Sequence, residues 1–177
     1  PKINISKKEI LIAKKKLKIK SNEKNILLGI GGSGATKRVP AKKYIEFIKL
    51  VASKHKSRFF LATGKNPEEQ KILNQIMKIR FKGSCKRLDN LSIKKILPII
   101  CNCDISVCND SSFSHLSAAL GIKTIVLMTD TPLMYGNYSK YMHAIIPDGE
   151  KTVKHNTQGK NKINSQKIFN KYKKLIN

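Results

Sequence analysis

The segment CNDSSFSHLSAALG, Cys108 to Gly121, puts one carboxylate, three hydroxyls and an imidazole into six consecutive positions: Asp110, Ser111, Ser112, Ser114 and His115. Three chemistries use such groups. A serine-histidine-aspartate triad needs the histidine to bridge nucleophile and carboxylate. Asp110 and His115 are instead about a turn and a half apart at a strand-to-helix junction, and no GxSxG nucleophile elbow is present. Zinc needs more ligands than one histidine and one carboxylate. The third chemistry is anion binding. Asp110, Ser111 and Ser112 fall in the N-cap region of a helix over 113–120, where unpaired N–H groups and the positive end of the dipole attract negative charge. A plainer alternative stays open at this point: Asp110 or Ser111 caps the helix and His115 packs nearby.

A second candidate lies upstream. Residues 29–34 read GIGGSG and match the dinucleotide fingerprint GxGxxG. In that fingerprint the helix starts inside the motif and an acidic residue ends the next strand. Here the helix is delayed to about Pro40, and the next strand ends in Ala62, Thr63 and Gly64. A phosphate loop of the Walker type also fails, because Lys37 lies between Thr36 and Arg38. What remains is a loop of backbone amides with a cation at its far end, suited to a diphosphate; the alternative is a lysine on a solvated turn. Glu68 and Glu69 open a helix, where negative charge is favoured in any case. A carboxylate at the carboxyl end of a strand can also accept from a ribose diol. No DxD pair that would hold a metal-bound nucleotide occurs.

These groups need elements to position them. Ser6 and Glu9 have capping-box spacing and open a lysine-coated helix over 6–18. Apolar runs at 25–30, 58–64, 104–109 and 123–128 read as buried strands, with shorter ones at 84–88 and 142–146. Helices follow from Pro40, with a stripe of Tyr44, Ile45, Phe47, Ile48 and Val51, and from Pro67, with Ile72, Leu73 and Ile76. Ser92 caps a further helix to Ile100, Gly121 stops the helix after Phe113, and Ser165 starts a closing helix. Strands alternating with helices predict an α/β fold, a Rossmann-like parallel sheet with helices on both faces. Ligands of such sheets bind beyond the carboxyl ends of the strands. Loops 31–38, 64–69, 109–115 and 129–136 all fall there.

Composition narrows the partners. The chain has 177 residues and a net charge of +25, with arginine only at positions 38, 58, 80 and 87. A nucleic-acid surface uses arginine forks and stacking aromatics, so this lysine-dominated charge disfavours nucleic acid while remaining compatible with an anionic membrane. No run approaches the roughly 18 apolar residues of a membrane span. Cys85, Cys101, Cys103 and Cys108 lack the paired spacing of a zinc site, and Cys101, Cys103 and Cys108, in or beside an apolar run, read as buried thiols of a reducing compartment. The start at Pro1 reads as a fragment.

In order and spacing, GGSGATKRVP, TGKNPEEQ, NLSIKKIL, CNDSSFSHLSAALGIKTIVL and MTDTP resemble glycosyltransferase family 9, the lipopolysaccharide heptosyltransferase type, over residues 20 to 140. The resemblance implies the C-terminal half of a GT-B glycosyltransferase, with a linker and N-terminal helix at 1–22, a nucleotide-sugar-binding domain at 23–150 and a C-terminal loop and closing helix at 151–177. It further implies that Lys37, Ser33 and Thr36 contact donor phosphate, that Glu69 holds the ribose, and that Leu91 and Ser92 flank the base. Asp110, Ser111, Ser112 and His115 would surround diphosphate and sugar, and Thr129 and Thr131 would line the opposite wall. Ser112 departs from the family's usual glycine, and Thr129-Asp130-Thr131 from its Gly-Pro-Thr. The implied reaction is inverting, metal-independent transfer from an ADP-heptose-like donor to a lipid-linked or oligosaccharide acceptor of lipopolysaccharide type, with no cofactor. The general base would be an aspartate of an N-terminal acceptor domain, so this chain by itself would bind donor without turnover. A cytoplasmic site at the inner face of the inner membrane follows from the same resemblance. Competing readings are a nicotinamide-dependent oxidoreductase fragment, favoured by GxGxxG, and a basic nucleic-acid-binding module, favoured by charge.

Overall fold

The computed structural model describes residues 2–176. Six strands, β1 (Lys24–Gly29), β2 (Ser57–Ala62), β3 (Gly83–Arg87), β4 (Ile105–Asn109), β5 (Thr124–Leu127) and β6 (Met142–Ile145), form one sheet in the order β3-β2-β1-β4-β5-β6. Every pairing is parallel. β1 lies at the centre, with Ile26 opposite Phe59 on one side and Ile105 on the other.

The four central strands are buried along almost their whole length because both faces of the sheet are covered. Alternation along β1 divides the core: Ile26 and Leu28 face α2 (Ala41–Ala52), α3 (Pro67–Met77) and α6 (Ser165–Ile176), while Leu27 faces α1 (Lys7–Lys16), α4 (Ile93–Ile100) and α5 (Ser112–Ala119). On the first face Phe47 meets Phe59 and Tyr172 edge-on, with ring centroids 6.4 and 5.7 Å apart. All three are fully buried, and truncating such a ring to alanine costs about 3–5 kcal/mol.

The expected elements are present, with small differences at their ends. Ser6 and Glu9 form the capping box of α1. Pro40 occupies the N-cap of α2 rather than its first turn, in an extended conformation that a proline ring allows. Ser92 stands at the N-cap of α4, yet its side chain makes no capping hydrogen bond. Gly121, at φ +79°, turns the chain out of α5 through the left-handed region that suits glycine. The loop after residue 150 carries a 3-10 turn, Gly159–Lys162. Cys103 and Cys108 are buried free thiols, whereas Cys101, at the C-cap of α4, is only half-buried, and burial pushes the Cys108 thiol up to about 12. Among the described residues no helix is long and apolar enough to cross a membrane.

Candidate functional site

β1 and β4 are neighbours from which the chain runs outward in opposite directions, and the crevice at such a switch point is where parallel sheets hold ligands. Asn109, the last residue of β4, is fully buried there. Its Nδ2 donates to the Ile30 and Gly31 carbonyls at 2.9 and 3.1 Å, and its Oδ1 accepts from Tyr44 Oη at 2.7 Å. These bonds fix where the glycine loop leaves β1.

The loop then turns through a short 3-10 helix, Ala35–Lys37, and delivers Lys37 to Asp110. Lys37 Nζ lies 2.9 Å from Asp110 Oδ2, and Thr131 Oγ1 donates to the same oxygen at 2.6 Å. Asp110 is therefore not a helix cap; its buried carboxylate is held by a cation and a hydroxyl. His115 Nε2 is 3.8 Å from the other Asp110 oxygen, and His115 Nδ1 is 2.9 Å from Tyr138 Oη. Thr129 Oγ1 donates to the Thr36 carbonyl at 2.9 Å, tying the opposite wall to the loop. Burial pushes the Asp130 carboxyl up, but the Gln158 N–H, the Thr36 side chain and the charges of His155 and Lys37 outweigh it and hold the group below its usual range.

Beside this cluster a cavity of ≈ 550 Å³ opens between β1, β2, α4 and α5. Ser33, Glu69, Leu91, Ser92, Ser111 and Ser112 all line it. Its α5 wall is a helix N-terminus. The Ser114 N–H bonds the Ser111 carbonyl at 3.0 Å, and Ser111 Oγ is buried with no hydrogen-bond partner among the described residues. An unpartnered hydroxyl on a helix N-terminus at the edge of a cavity is arranged to meet an acceptor. Leu91, Ile96 and Phe113 give the cavity apolar walls.

Glu69 is 8% exposed and already engaged. Its Oε1 accepts the Gly32 N–H at 3.0 Å, and its Oε2 accepts Thr63 Oγ1 at 2.8 Å and the Gly64 N–H at 2.7 Å. It latches the β1 and β2 loops together and keeps about one lone pair free. Asp89 also lines the cavity, its carboxylate gripped by the Arg87 guanidinium through two bonds of 2.8 Å. Among the described residues no group of three or more histidine, cysteine, aspartate or glutamate side chains comes together to hold a metal ion.

The structure thus gathers the sequence-derived candidates into two adjoining sets, a charged cluster (Thr36, Lys37, Asp110, His115, Thr129, Thr131) and a cavity lining (Ser33, Glu69, Leu91, Ser92, Ser111, Ser112). Asn109, Asp89, Tyr138 and Lys160 were not among those candidates. Asn109 directly precedes Asp110 at a strand end, and that position was its only sequence signal.

The fold has known counterparts. The E. coli ADP-heptose lipopolysaccharide heptosyltransferase II superposes with a TM-score of 0.78 at 19% identity, covering 99% of this chain and 53% of that one. The E. coli heptosyltransferase WaaC, solved with ADP, gives 0.69 at 17% identity over 92% of this chain and 48% of that one. Lipooligosaccharide heptosyltransferase 2 of Campylobacter jejuni is 30% identical over 171 residues, 88% of this chain and 52% of the relative. The chain spans about half the length of the curated relatives it matches. The model of glycosyltransferase family 9 (heptosyltransferase) matches residues 1–168, and the chain belongs to that family.

Proposed function

We propose that this chain is the donor-binding half of a glycosyltransferase that transfers a sugar from a nucleoside diphosphate carrier, ADP-heptose-like, to a lipopolysaccharide-type acceptor. One observation carries the reading: the α5 N-terminus, with the buried Ser111 hydroxyl, lines a cavity that also has apolar walls, and Lys37 is held on Asp110, the residue just before that helix's N-cap. Such a cavity accommodates a base against its apolar walls and a diphosphate at the helix N-terminus. Membership of family 9 supports the reaction class, and the WaaC complex with ADP supports the nucleotide.

In this reading the base lies against Leu91 and Ser92, and the ribose uses the remaining lone pair of Glu69. The diphosphate lies between Lys37, the Ser33–Thr36 loop and the α5 N-terminus, with Ser111, Ser112 and His115 on one side and Thr129 and Thr131 on the other. When the sugar–phosphate bond breaks, negative charge grows on the leaving diphosphate. Lys37 and the α5 dipole are fixed in place beforehand and stabilise that charge without reorganisation. They supply the positive charge that a metal ion would otherwise bring, so the transfer is metal-independent. Inversion at the sugar carbon and a general base on an acceptor domain complete the proposal. The lysine-rich surface suits work beside an anionic cytoplasmic leaflet.

Calorimetric titration with ADP, UDP, NADH and a short DNA duplex tests this. ADP should bind in preference to UDP and NADH, and a Lys37→Ala variant should lose that binding. Silence toward every nucleotide while DNA still binds would overturn the donor-site reading and promote the basic nucleic-acid module.

A further inference from the structure

Side chains hold the carbonyls of the loop between β1 and α2. Asn109 takes Ile30 and Gly31, Arg38 takes Gly32 at 3.0 Å, Thr129 takes Thr36, and Lys160 Nζ takes Ala35 at 2.9 Å. All peptide bonds described are trans. In a planar trans peptide the carbonyl and the following N–H point in opposite directions. Holding a carbonyl therefore aims the next N–H the other way. Lys160, by retaining the Ala35 carbonyl, sets the Ala35–Thr36 peptide plane and with it the Thr36 N–H.

Lys160 reaches this carbonyl from 125 residues away, and its own segment is tightly held. The Gln158 N–H bonds Asp130 Oδ1 at 2.7 Å, and the Gly159 N–H bonds the Thr129 carbonyl at 2.9 Å. Asn156 and Gln158 take left-handed backbones, φ 70° and 50°, which cost energy for residues with side chains. A Cβ at Gly159 would overlap the Pro147 ring. Strain and a steric requirement thus coincide in the four residues before and including Gly159, where the segment meets the loop that carries Lys37.

We propose that Lys160 is a positioning residue for the donor's diphosphate: its ammonium turns the Ala35–Thr36 peptide so that the Thr36 N–H joins the amides facing the phosphates. The inference rests on the donor-site reading above. It adds a residue from the loop after β6 to a site built otherwise at the ends of β1 to β5. A lysine ammonium on a carbonyl is a charge-assisted bond, and removing it lets the peptide plane rotate.

The test is titration of the full chain with ADP and with adenosine, for the unsubstituted protein, Lys160→Met and Lys160→Arg. Lys160→Met keeps the aliphatic stem and should weaken ADP about tenfold, the loss of one well-placed charged-loop hydrogen bond. Adenosine affinity and Tm should stay unchanged, and Lys160→Arg, which can still donate to the Ala35 carbonyl, should recover most of the loss. Unchanged ADP affinity in Lys160→Met, against an unsubstituted chain that binds ADP, overturns the assignment alone. So does an equal loss for ADP and adenosine, or a fall in Tm that Lys160→Arg does not repair, since either marks a purely structural role. Failure of the unsubstituted chain to bind ADP overturns the donor-site reading, and the assignment falls with it.

Discussion

Lys37 and Asp110, 73 positions apart in the chain, meet at 2.9 Å where β1 and β4 end, and Thr131 donates to the same carboxylate oxygen at 2.6 Å. The Asp110 side chain is 6% exposed and that of Lys37 24%. The pair joins the glycine loop to the entrance of α5, and it holds the ammonium in place before any ligand arrives.

Removing one partner strands the other. Lys37→Met should destabilise the chain by about 1–3 kcal/mol, because a buried carboxylate then loses its ammonium and keeps the Thr131 hydroxyl and a His115 nitrogen 3.8 Å away. The double variant Lys37→Met/Asp110→Asn should be more stable than the sum of the single variants predicts. Urea unfolding of the four proteins measures this, and strict additivity would show that the two residues do not interact in solution.

Glu69 makes an isosteric change costly. Both of its oxygens face backbone N–H groups, Gly32 on one side and Gly64 on the other. A glutamine must turn its NH2 toward one of them, whichever way its amide is placed. Glu69→Gln should therefore cost about 1–3 kcal/mol and speed hydrogen exchange at Gly32 or Gly64. Exchange no faster than in the unsubstituted protein at both amides would show that the latch is not formed.

Asp89 supplies a pH dependence with a defined sign. Its hydrogen bonds from Arg87, together with the nearby Gln70 and Lys65, hold its carboxyl well below the usual carboxylate range despite burial. A carboxyl depressed in the folded state contributes stability above its unfolded pKa, near 3.9, and loses it as pH falls toward the folded value. Arg87→Met removes that contribution. Its deficit against the unsubstituted protein should be full at pH 7 and shrink below about pH 4. Urea midpoints at pH 7, 5 and 3.5 report it, and a deficit independent of pH would assign the loss to packing of the arginine stem.

The framework of this site was legible in the sequence because local rules decide it. The run NILLG reads as a strand covered on both faces, the stripe of Tyr44, Phe47, Ile48 and Val51 reads as a helix face, and the polar loops fall at strand ends by topology alone. Lys37 and Asp110 stood out as a cation after a glycine loop and a carboxylate at a helix start. Their mutual contact did not, nor did Asn109 with Tyr44 or Lys160 with Ala35, since no local pattern records a contact between residues 65 or 125 positions apart. Glu69 was legible as a carboxylate at the right strand end, whereas its three donors are visible only once the β1 and β2 loops are side by side.

Asn109 should tolerate no charge. Its amide is oriented by two carbonyls on Nδ2 and the Tyr44 hydroxyl on Oδ1. Asn109→Asp is nearly isosteric, but it sets a carboxylate oxygen against both carbonyls in a fully buried position. The expected cost is about 3 kcal/mol or more at neutral pH, reduced in acid as the carboxyl gains a proton and can donate again. A chain as stable as the unsubstituted protein at pH 7 would mean that the loop carbonyls find other partners.

Tyr138 should fix the tautomer of His115. The His115 ring lies between an acceptor-only carboxylate, 3.8 Å from Nε2, and the Tyr138 hydroxyl, 2.9 Å from Nδ1, with the two rings nearly parallel at 17°. A neutral imidazole carries one proton. Facing Asp110, that proton belongs on Nε2, which leaves Nδ1 to accept from the tyrosine hydroxyl. The Nε2–H then points toward the cluster where the diphosphate is proposed to lie, ready to donate to it. Nitrogen-15 NMR at pH 8 should find the Nε2–H tautomer dominant in the unsubstituted protein and a mixture in Tyr138→Phe, which keeps the ring contact and loses only the hydroxyl. Dominance of the Nδ1–H form in the unsubstituted protein would reverse the assignment, making Tyr138 the acceptor and leaving an unprotonated Nε2 facing Asp110.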